Sequence, residues 1–530
     1  MNLHAPVFPT DIESIRALGV ENWRASFAWP VSDADYNALL DALWDAFEEV
    51  HAGLGDADAD AWLADTVAPG SVAQSIHFRV AAELCARQGL SAAARGASRQ
   101  LLDPNPADWR RQVCVAEMAG SSVAAAARGL AKGWILNRHL PPLPRLRALG
   151  RETRCWALGS RSPLLDAYIV TEGLAPRYFY ARQVIPSASL DGAAEAVGAL
   201  HDGIRHVVAR LKEYCRRRWQ LEIAIDTMAR AWGERLGVLS AAHRALEKLK
   251  HSPAVLLLTD VSRPLHKLIA LAIARRDCEV IGFQHGNVVG HLRQRSSAWH
   301  AHAHCTVFVT YTPGAARLLD RAYRASPIST RKPVQFRGAP SRTHSKLFAP
   351  LIKEPPPQGV RTVMLIGYPM NATRYQYSAG DFFAFQLHAE LRIAEVLRGA
   401  GYRVIYKAHP QRMRELGDAF AGRVDEMLSE PFETTWNRAD AFVFGCMTTT
   451  VFSVALLTPL PVAILDIEGL AWDSEAEALL KRRVISVPTR FDDRNRLVFD
   501  EKVLVAGLAK PLCGQNNDFV RTYLMGSGQS

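Results

Sequence analysis

Two stretches, Gly401–Pro410 (GYRVIYKAHP) and Ala441–Thr450 (AFVFGCMTTT), constrain the fold of this chain more than any others. The first follows an amphipathic helical stretch, Phe385–Arg398, and turns into a buried strand, Arg403–Tyr406, that ends in Lys407, His409 and Pro410. The second is an apolar strand, Ala441–Gly445, that breaks into Cys446, Met447, Thr448, Thr449 and Thr450 and then an apolar helix. Strands this short and apolar belong in a parallel sheet covered on both faces. They finish at one edge of that sheet. One delivers a cation and an imidazole; the other delivers hydroxyls and the backbone N–H groups of a helix N-terminus. Such an edge suits a phosphate. Either motif alone serves equally as a strand end or a Thr-rich helix cap. In this order, on two successive βα units, they point to a nucleotide site.

The segment between Asp440 and Asp466 carries no charge, a length that invites a membrane span. Gly445, the three threonines, Pro459 and Pro461 instead divide it into strand, cap, short helix, turn and strand, the last at Pro461–Leu465. Strand Val363–Ile366 opens this set after a linker at Pro355–Pro357. Upstream lies an equivalent set: strands at Cys155–Leu158, Tyr178–Tyr180, Ala254–Thr259, Glu279–Phe283, Thr306–Thr310 and Val334–Phe336. A long helical stretch, 193–250, interrupts it. Strands alternating with helices on both sides of a proline linker imply an α/β chain with two Rossmann-like domains facing one cleft. The expected boundaries are a helical accessory region over 1–150, an acceptor-side domain over 151–350, a nucleotide-donor domain over 351–510 and a tail over 511–530. Within the first region, helices are expected at Tyr36–Val50, Ser75–Arg87 and Gly89–Leu102.

At 530 residues, 48% hydrophobic and 22% charged, the composition is that of a globular protein, but the net charge of +10 asks for an anionic partner. Two basic regions stand out. One holds Arg128, Lys132, Arg138, Arg145, Arg147, Arg151 and Arg154 around Trp134, and the other is Arg216–Arg218. Both suit association with an anionic membrane surface, though a solvated linker reads the same way. No aromatic-basic RNA motif or Cys/His finger supports a nucleic-acid partner. Eight scattered cysteines without a C-x-x-C pair fit a reducing compartment, and the first eighteen residues lack the basic and apolar regions of a secretion signal. The expected location is therefore cytoplasmic, peripheral on the inner face of the cytoplasmic membrane.

Phe283–Gly286 (FQHG) in the first set, with YKAHP and TTTVFS in the second, resembles the GT-B glycosyltransferases of bacterial surface polysaccharide assembly, in capsule and lipopolysaccharide. The motifs are most similar to those of capsule Kdo transferases, bacterial polysialyltransferases and CDP-glycerol glycerophosphotransferases. The resemblance spans roughly 254–470. It implies a nucleotide-sugar donor, with CMP-Kdo or CMP-sialic acid favoured, a glycan or glycolipid acceptor, and phosphate binding by the H-P dipeptide and the Ser/Thr cluster. Such enzymes often hold the ribose with a Glu on the helix after the phosphate loop. This chain has Val454 there, and Asp466 and Glu468 at the next strand end are the substitutes.

Glycosyl transfer requires stabilisation of a leaving phosphate and deprotonation of an acceptor hydroxyl. Lys407, His409 and the N–H groups of Thr448–Thr450 meet the first need without metal or organic cofactor, Pro410 fixing the aim of His409; Thr449 or Thr450 donates the hydroxyl. Asp260 is the preferred catalytic base and His285 the other candidate, each at a strand's carboxyl end. Each also has a purely structural role open to it, a helix cap and a turn residue. The long polar loop 368–381, with Asn371, Arg374 and Tyr375, is a candidate substrate loop. His300, His302 and His304 alternate and would share one face of a strand, but no fourth ligand lies nearby in sequence, so no metal site is assigned. A sugar-nucleotide epimerase and a non-catalytic nucleotide-binding scaffold are the alternatives.

Overall fold

The computed structural model describes residues 7–96, 98–118, 122–150, 154–186, 190, 198–259, 263–284, 286, 291–292, 295–339, 359–369, 382–409, 413–510 and 516–525. The proline linker at 355–357 lies outside them. β1 (Val7–Pro9) and β2 (Ser91–Ala93) form a small parallel pair. Six strands make an all-parallel sheet: β3 (Cys155–Leu158), β4 (Arg177–Tyr178), β5 (Val255–Leu258), β6 (Glu279–Phe283), β7 (Val307–Thr310) and β8 (Gln335–Gly338). Their order across the sheet is β4-β3-β5-β6-β7-β8. Seven more make a second sheet: β9 (Thr362–Ile366), β10 (Arg403–Lys407), β11 (Glu426–Leu428), β12 (Ala441–Phe444), β13 (Val462–Ile467), β14 (Ile485–Phe491) and β15 (Leu497–Phe499). Its order is β11-β10-β9-β12-β13-β14-β15, and only the β14–β15 pair is antiparallel. The chain is thus α/β with parallel-rich sheets, compatible with Rossmann-like folding. In each sheet the winding reverses at one place: between β3 and β5 in the first, and between β9 and β12 in the second. Crevices outside the carboxyl ends at such reversals are where open α/β sheets take ligands.

The central strands are uniformly apolar because both faces are covered. In β12 every residue is buried, and β9, β10 and β13 are nearly so. The face of the second sheet that carries Val363, Tyr406 and Val443 packs on helix Phe383–Gly399; the other, with Ile366, Ile405 and Phe444, packs on helix Thr450–Leu456.

The amino-terminal residues form a helical layer that grips both sheets. Helix Asp33–Gly53, capped by the Ser32 hydroxyl accepting from Asp35 N–H, sends Glu48 to Arg295 beside the first sheet at 2.6 Å. The residues before it go the other way. Arg24 pairs with Glu395 at 2.5 Å, and the Asn495 amide donates to the Trp29 carbonyl at 2.6 Å. The Trp29 ring also meets Phe382 at 4.6 Å.

Several expectations are corrected. Gly89–Leu102 is not a helix: Ser91–Ala93 is extended because it pairs with Val7–Pro9, and only Arg99–Leu102 is helical. The 193–250 stretch is two helices, Ala199–Trp219 and Asp226–Glu247, parted where Gln220 takes a left-handed φ of 54°. His300 and His302 lie in a helical turn, Ala298–His302, rather than a strand. Burial pushes all three histidines toward the neutral form, His302 to about 3. The 216–218 cluster is not a free basic patch. Arg216 pairs with Glu222 at 2.7 Å, Arg217 with Glu213 at 2.5 Å, and Arg218 with Asp35 at 2.6 Å.

Candidate functional site

The register of the second sheet sets the geometry. Lys407, Ile366 and Phe444 stand at one level on three neighbouring strands, β10, β9 and β12. The two motif strands are therefore parallel and end on one edge. They are not successive, however: β11 lies between them in sequence and β9 lies between them in space. The width of β9 separates Lys407 from the threonine run, roughly two strand spacings or 9–10 Å. Strand alternation puts Lys407 on the face of Ile405, Ile366 and Phe444, the same face that carries helix Thr450–Leu456.

Lys407 is almost fully buried, and its ammonium donates to the Ala408 carbonyl at 2.9 Å. Burial pulls its pKa down, with Glu430 and Glu433 opposing. His409 is half-buried one residue past that carbonyl. Across β9, the Thr449 hydroxyl accepts from Val451 N–H at 3.4 Å and caps the helix, while Thr448 and Thr450 are exposed. Val454 faces the core. Arg483, almost wholly buried, donates to the carbonyls of Leu456, Thr458 and Leu460 and so fixes the far end of this helix. Burial lowers its pKa to about 10.

Asp466 accepts from the Ser486 hydroxyl at 2.7 Å and pairs with Lys481 at 2.9 Å. With exposed Glu468 it lines a groove of about 670 Å³ that also carries Trp472 and Arg490. This groove adjoins the threonine strand, since β13 is the neighbour of β12.

Asp260, His285, Pro410, Asn371, Arg374 and Tyr375 lie outside the described residues. Their flanks are described. Thr259 follows β5 at the reversal point of the first sheet, where its hydroxyl donates to the Ser160 carbonyl. Gly286 takes φ +77°, and a Cβ placed there would stand 3.3 Å from Thr450 Oγ1. Gly286, the last residue of FQHG, thus reaches the threonine run of the second sheet. Nearby, Leu292 forms an antiparallel bridge with Trp472, and Asp473 N–H donates to the His291 carbonyl at 2.8 Å.

Two residues at this edge escape a reading of the sequence. Glu390 accepts from Tyr368 N–H, just past β9, and from the Tyr406 hydroxyl on β10, both at 2.8 Å. Gln386, one turn earlier, donates to the Gly445 carbonyl just past β12 at 3.2 Å. Together they tie three strand ends across the reversal point from beneath. Burial raises the Glu390 pKa to about 8, so at neutral pH it is mostly a neutral acid. The available signal is a pair of polar residues spaced i, i+4 inside an otherwise apolar helical stripe.

Among the described residues no group of three or more His, Cys, Asp or Glu side chains is placed to hold a metal ion. Comparison with protein-family models and with curated proteins finds no match to this chain.

Proposed function

We propose that the chain is a GT-B-like, metal-independent glycosyltransferase. In this reading two Rossmann-like units face one cleft, the second holds a nucleotide-activated donor, with a CMP-sugar favoured, and the first presents a surface-glycan acceptor. The observation that carries the proposal is the meeting of Gly286 with Thr450, which brings a strand-end segment of one sheet to the threonine run of the other. Lys407 and His409 supply positive charge and hydrogen bonding on the same edge, and Asp466 and Glu468 offer carboxylates to the ribose hydroxyls. In the reaction, the acceptor oxygen bonds to the anomeric carbon as the bond from that carbon to the donor phosphate breaks. The nucleotide leaves with the electron pair. The acceptor proton passes to Asp260, or to His285 if the roles are exchanged.

The first test is thermal stabilisation by CMP, CDP, UDP and GDP, since a ligand that binds only the native chain raises its melting temperature. CMP should stabilise most. Lys407→Ala and His409→Ala should each weaken nucleotide binding by about 1.5–3 kcal/mol, the value of a charge-assisted hydrogen bond. Unchanged calorimetric affinity in both variants would sink the assignment. Asp260→Asn should bind donor normally and lose about 10²–10⁴-fold in turnover. The buried Val454, where a ribose-holding Glu is usual in the resembled enzymes, favours a second reading as a nucleotide-binding scaffold. Binding of CMP-sugars without release of CMP in the presence of any glycan acceptor would select it.

A further inference from the structure

Helix Ser122–Leu136 and the following helix Pro142–Arg147 are docked the wrong way round for a surface element. The inner face is small and polar. Gly129 and Gly133 lie against Tyr178 of β4, where a Cβ on Gly129 would meet the Tyr178 carbonyl at 3.2 Å. The Asn137 amide donates to the Pro176 carbonyl at 2.8 Å. The outer face is apolar: Val123 is 76% exposed, Leu143 60% and Leu146 57%, with Leu130, Trp134 and Ile135 open beside them. These six make up most of the exposed large hydrophobic side chains among the described residues; only Val7 and Val170 lie elsewhere.

The charge around this face is one-sided. From 122 to 150 the chain holds Arg128, Lys132, Arg138, Arg145 and Arg147 and no Asp or Glu. The Arg145 guanidinium covers the Trp134 ring at 3.8 Å and donates to the Trp134 carbonyl at 2.6 Å, which fixes the second helix against the first. The Lys132 ammonium points inward to the Tyr178 hydroxyl at 3.1 Å. Arg147 stays at the surface, and the exposed Arg138 lies 3.6 Å from Asp166, a carboxylate that it shares with Arg161, so the cations there still outnumber the carboxylate.

We propose that this two-helix face seats the protein on an anionic phospholipid surface, the apolar side chains entering the headgroup boundary and the arginines meeting lipid phosphates. A second copy of the chain is a poor occupant, because pairing the faces would bring two sets of cations together, and Asp166 beside Arg138 is already held by Arg161. Among the described residues no helix is long and apolar enough to cross a membrane, which fits seating rather than insertion. The paired arginines at 216–218 take no part. The proposal stands independently of the transfer reaction.

The test is sedimentation of the full chain with vesicles of phosphatidylcholine alone or of equal parts phosphatidylcholine and phosphatidylserine. The protein should pellet with the anionic vesicles at low salt, at least tenfold more than with the neutral ones. Leu143→Ser/Leu146→Ser changes two exposed side chains, so its melting temperature should match the parent, and its partitioning should fall at least tenfold. Arg138→Ser/Arg147→Ser should lose roughly 30-fold at low salt, each cation contributing about fivefold, and much less at high salt. Equal binding to both vesicles, or to neither, overturns the proposal. So does a concentration-dependent dimer in sedimentation velocity that Leu143→Ser/Leu146→Ser abolishes while vesicle binding persists.

Discussion

Asp60 and Glu390 are both fully buried carboxyl groups, and the molecule treats them in opposite ways. Asp60, in the helical layer, faces Arg275, Lys332 at 3.5 Å and the His243 ring at 3.6 Å. Burial pushes its pKa up, but His243, Arg275 and Lys332 outweigh that and bring it to about 2. Glu390, beneath the second sheet's edge, has only a backbone N–H and a tyrosine hydroxyl, and burial wins at about 8. Depth alone therefore does not decide the charge of a buried acid; the presence of a cation does. The helical layer is joined to the first sheet by charge, whereas the reversal point of the second sheet is held by neutral hydrogen bonds.

The largest effect that would break this contrast is a pH profile. Below pH 4.5, the ordinary value for Glu390, folded and unfolded chains both carry its proton and the site costs nothing. Between 4.5 and 8 only the unfolded chain releases it, so stability falls as pH rises, by about 5 kcal/mol in all at 1.4 kcal/mol per unit. Above that window the loss is complete. Glu390→Gln should flatten the profile, matching the parent in denaturant titrations near pH 4.5 and exceeding it by several kcal/mol at pH 8. A parental profile that is flat over this window contradicts the neutral carboxyl.

Asp60→Asn comes next. It strips Arg275 and Lys332 of a buried counter-charge and should cost about 3 kcal/mol at neutral pH. The parent should lose Asp60's contribution, about 2 kcal/mol, as pH falls from 3.8 to 2, and the variant should lack that component. Lys407→Met then sharpens the comparison from the cation's side. Lys407 is a buried cation with no carboxylate in an ion pair at its ammonium among the described residues, the mirror image of Glu390. Its replacement should leave stability within about 1 kcal/mol in chemical denaturation while nucleotide binding weakens by about 1.5–3 kcal/mol. Smallest of all is Arg24→Ala, which parts the largely buried Arg24 from the half-exposed Glu395; about 1 kcal/mol is expected, shrinking in high salt.

The alternation of strand and helix was legible because it is local. Cys155–Leu158 and Glu279–Phe283 have the bounds that their apolar runs suggest. β11 was not legible, since three residues, Glu426–Leu428, carry no period of their own and become a strand only by pairing with β10. β14 was hidden by Pro488, a residue that argues against an interior strand, yet its carbonyl still accepts from Asp500 N–H. At the candidate edge, the ends of β10 and β12 and the strand β9 could be read, but the placement of β9 between them and the tie made by Gln386 and Glu390 could not, because strand order is a property of pairing across the sheet. The burial of Lys407 was likewise invisible, as one residue's polarity says nothing of which face it takes. The same holds for the arginines: Arg216–Arg218 and Arg138–Arg147 look alike in sequence, yet Glu222, Glu213 and Asp35 each take one of the first group, whereas Arg138 shares the single carboxylate of Asp166 with Arg161.

The bond between Asn495 and the Trp29 carbonyl spans 466 positions of the chain. A ribosome adds about 5–20 residues per second, so roughly 25–90 seconds pass between the synthesis of the two partners. For most of that interval Trp23, Phe27 and Trp29, all buried in the finished protein, lack the wall that Phe382 and His388 later provide. Trp29 can already pack on Phe8, His77 and Phe78, but the side of the aromatic segment that faces Phe382 and His388 must wait in water or in the hands of a chaperone. The seven-stranded unit, emerging last, finds it already made. Biogenesis of this chain therefore has an obligatory late step in which an early segment docks on a late one, and slowing or truncating synthesis before residue 495 should leave a sticky, protease-sensitive intermediate.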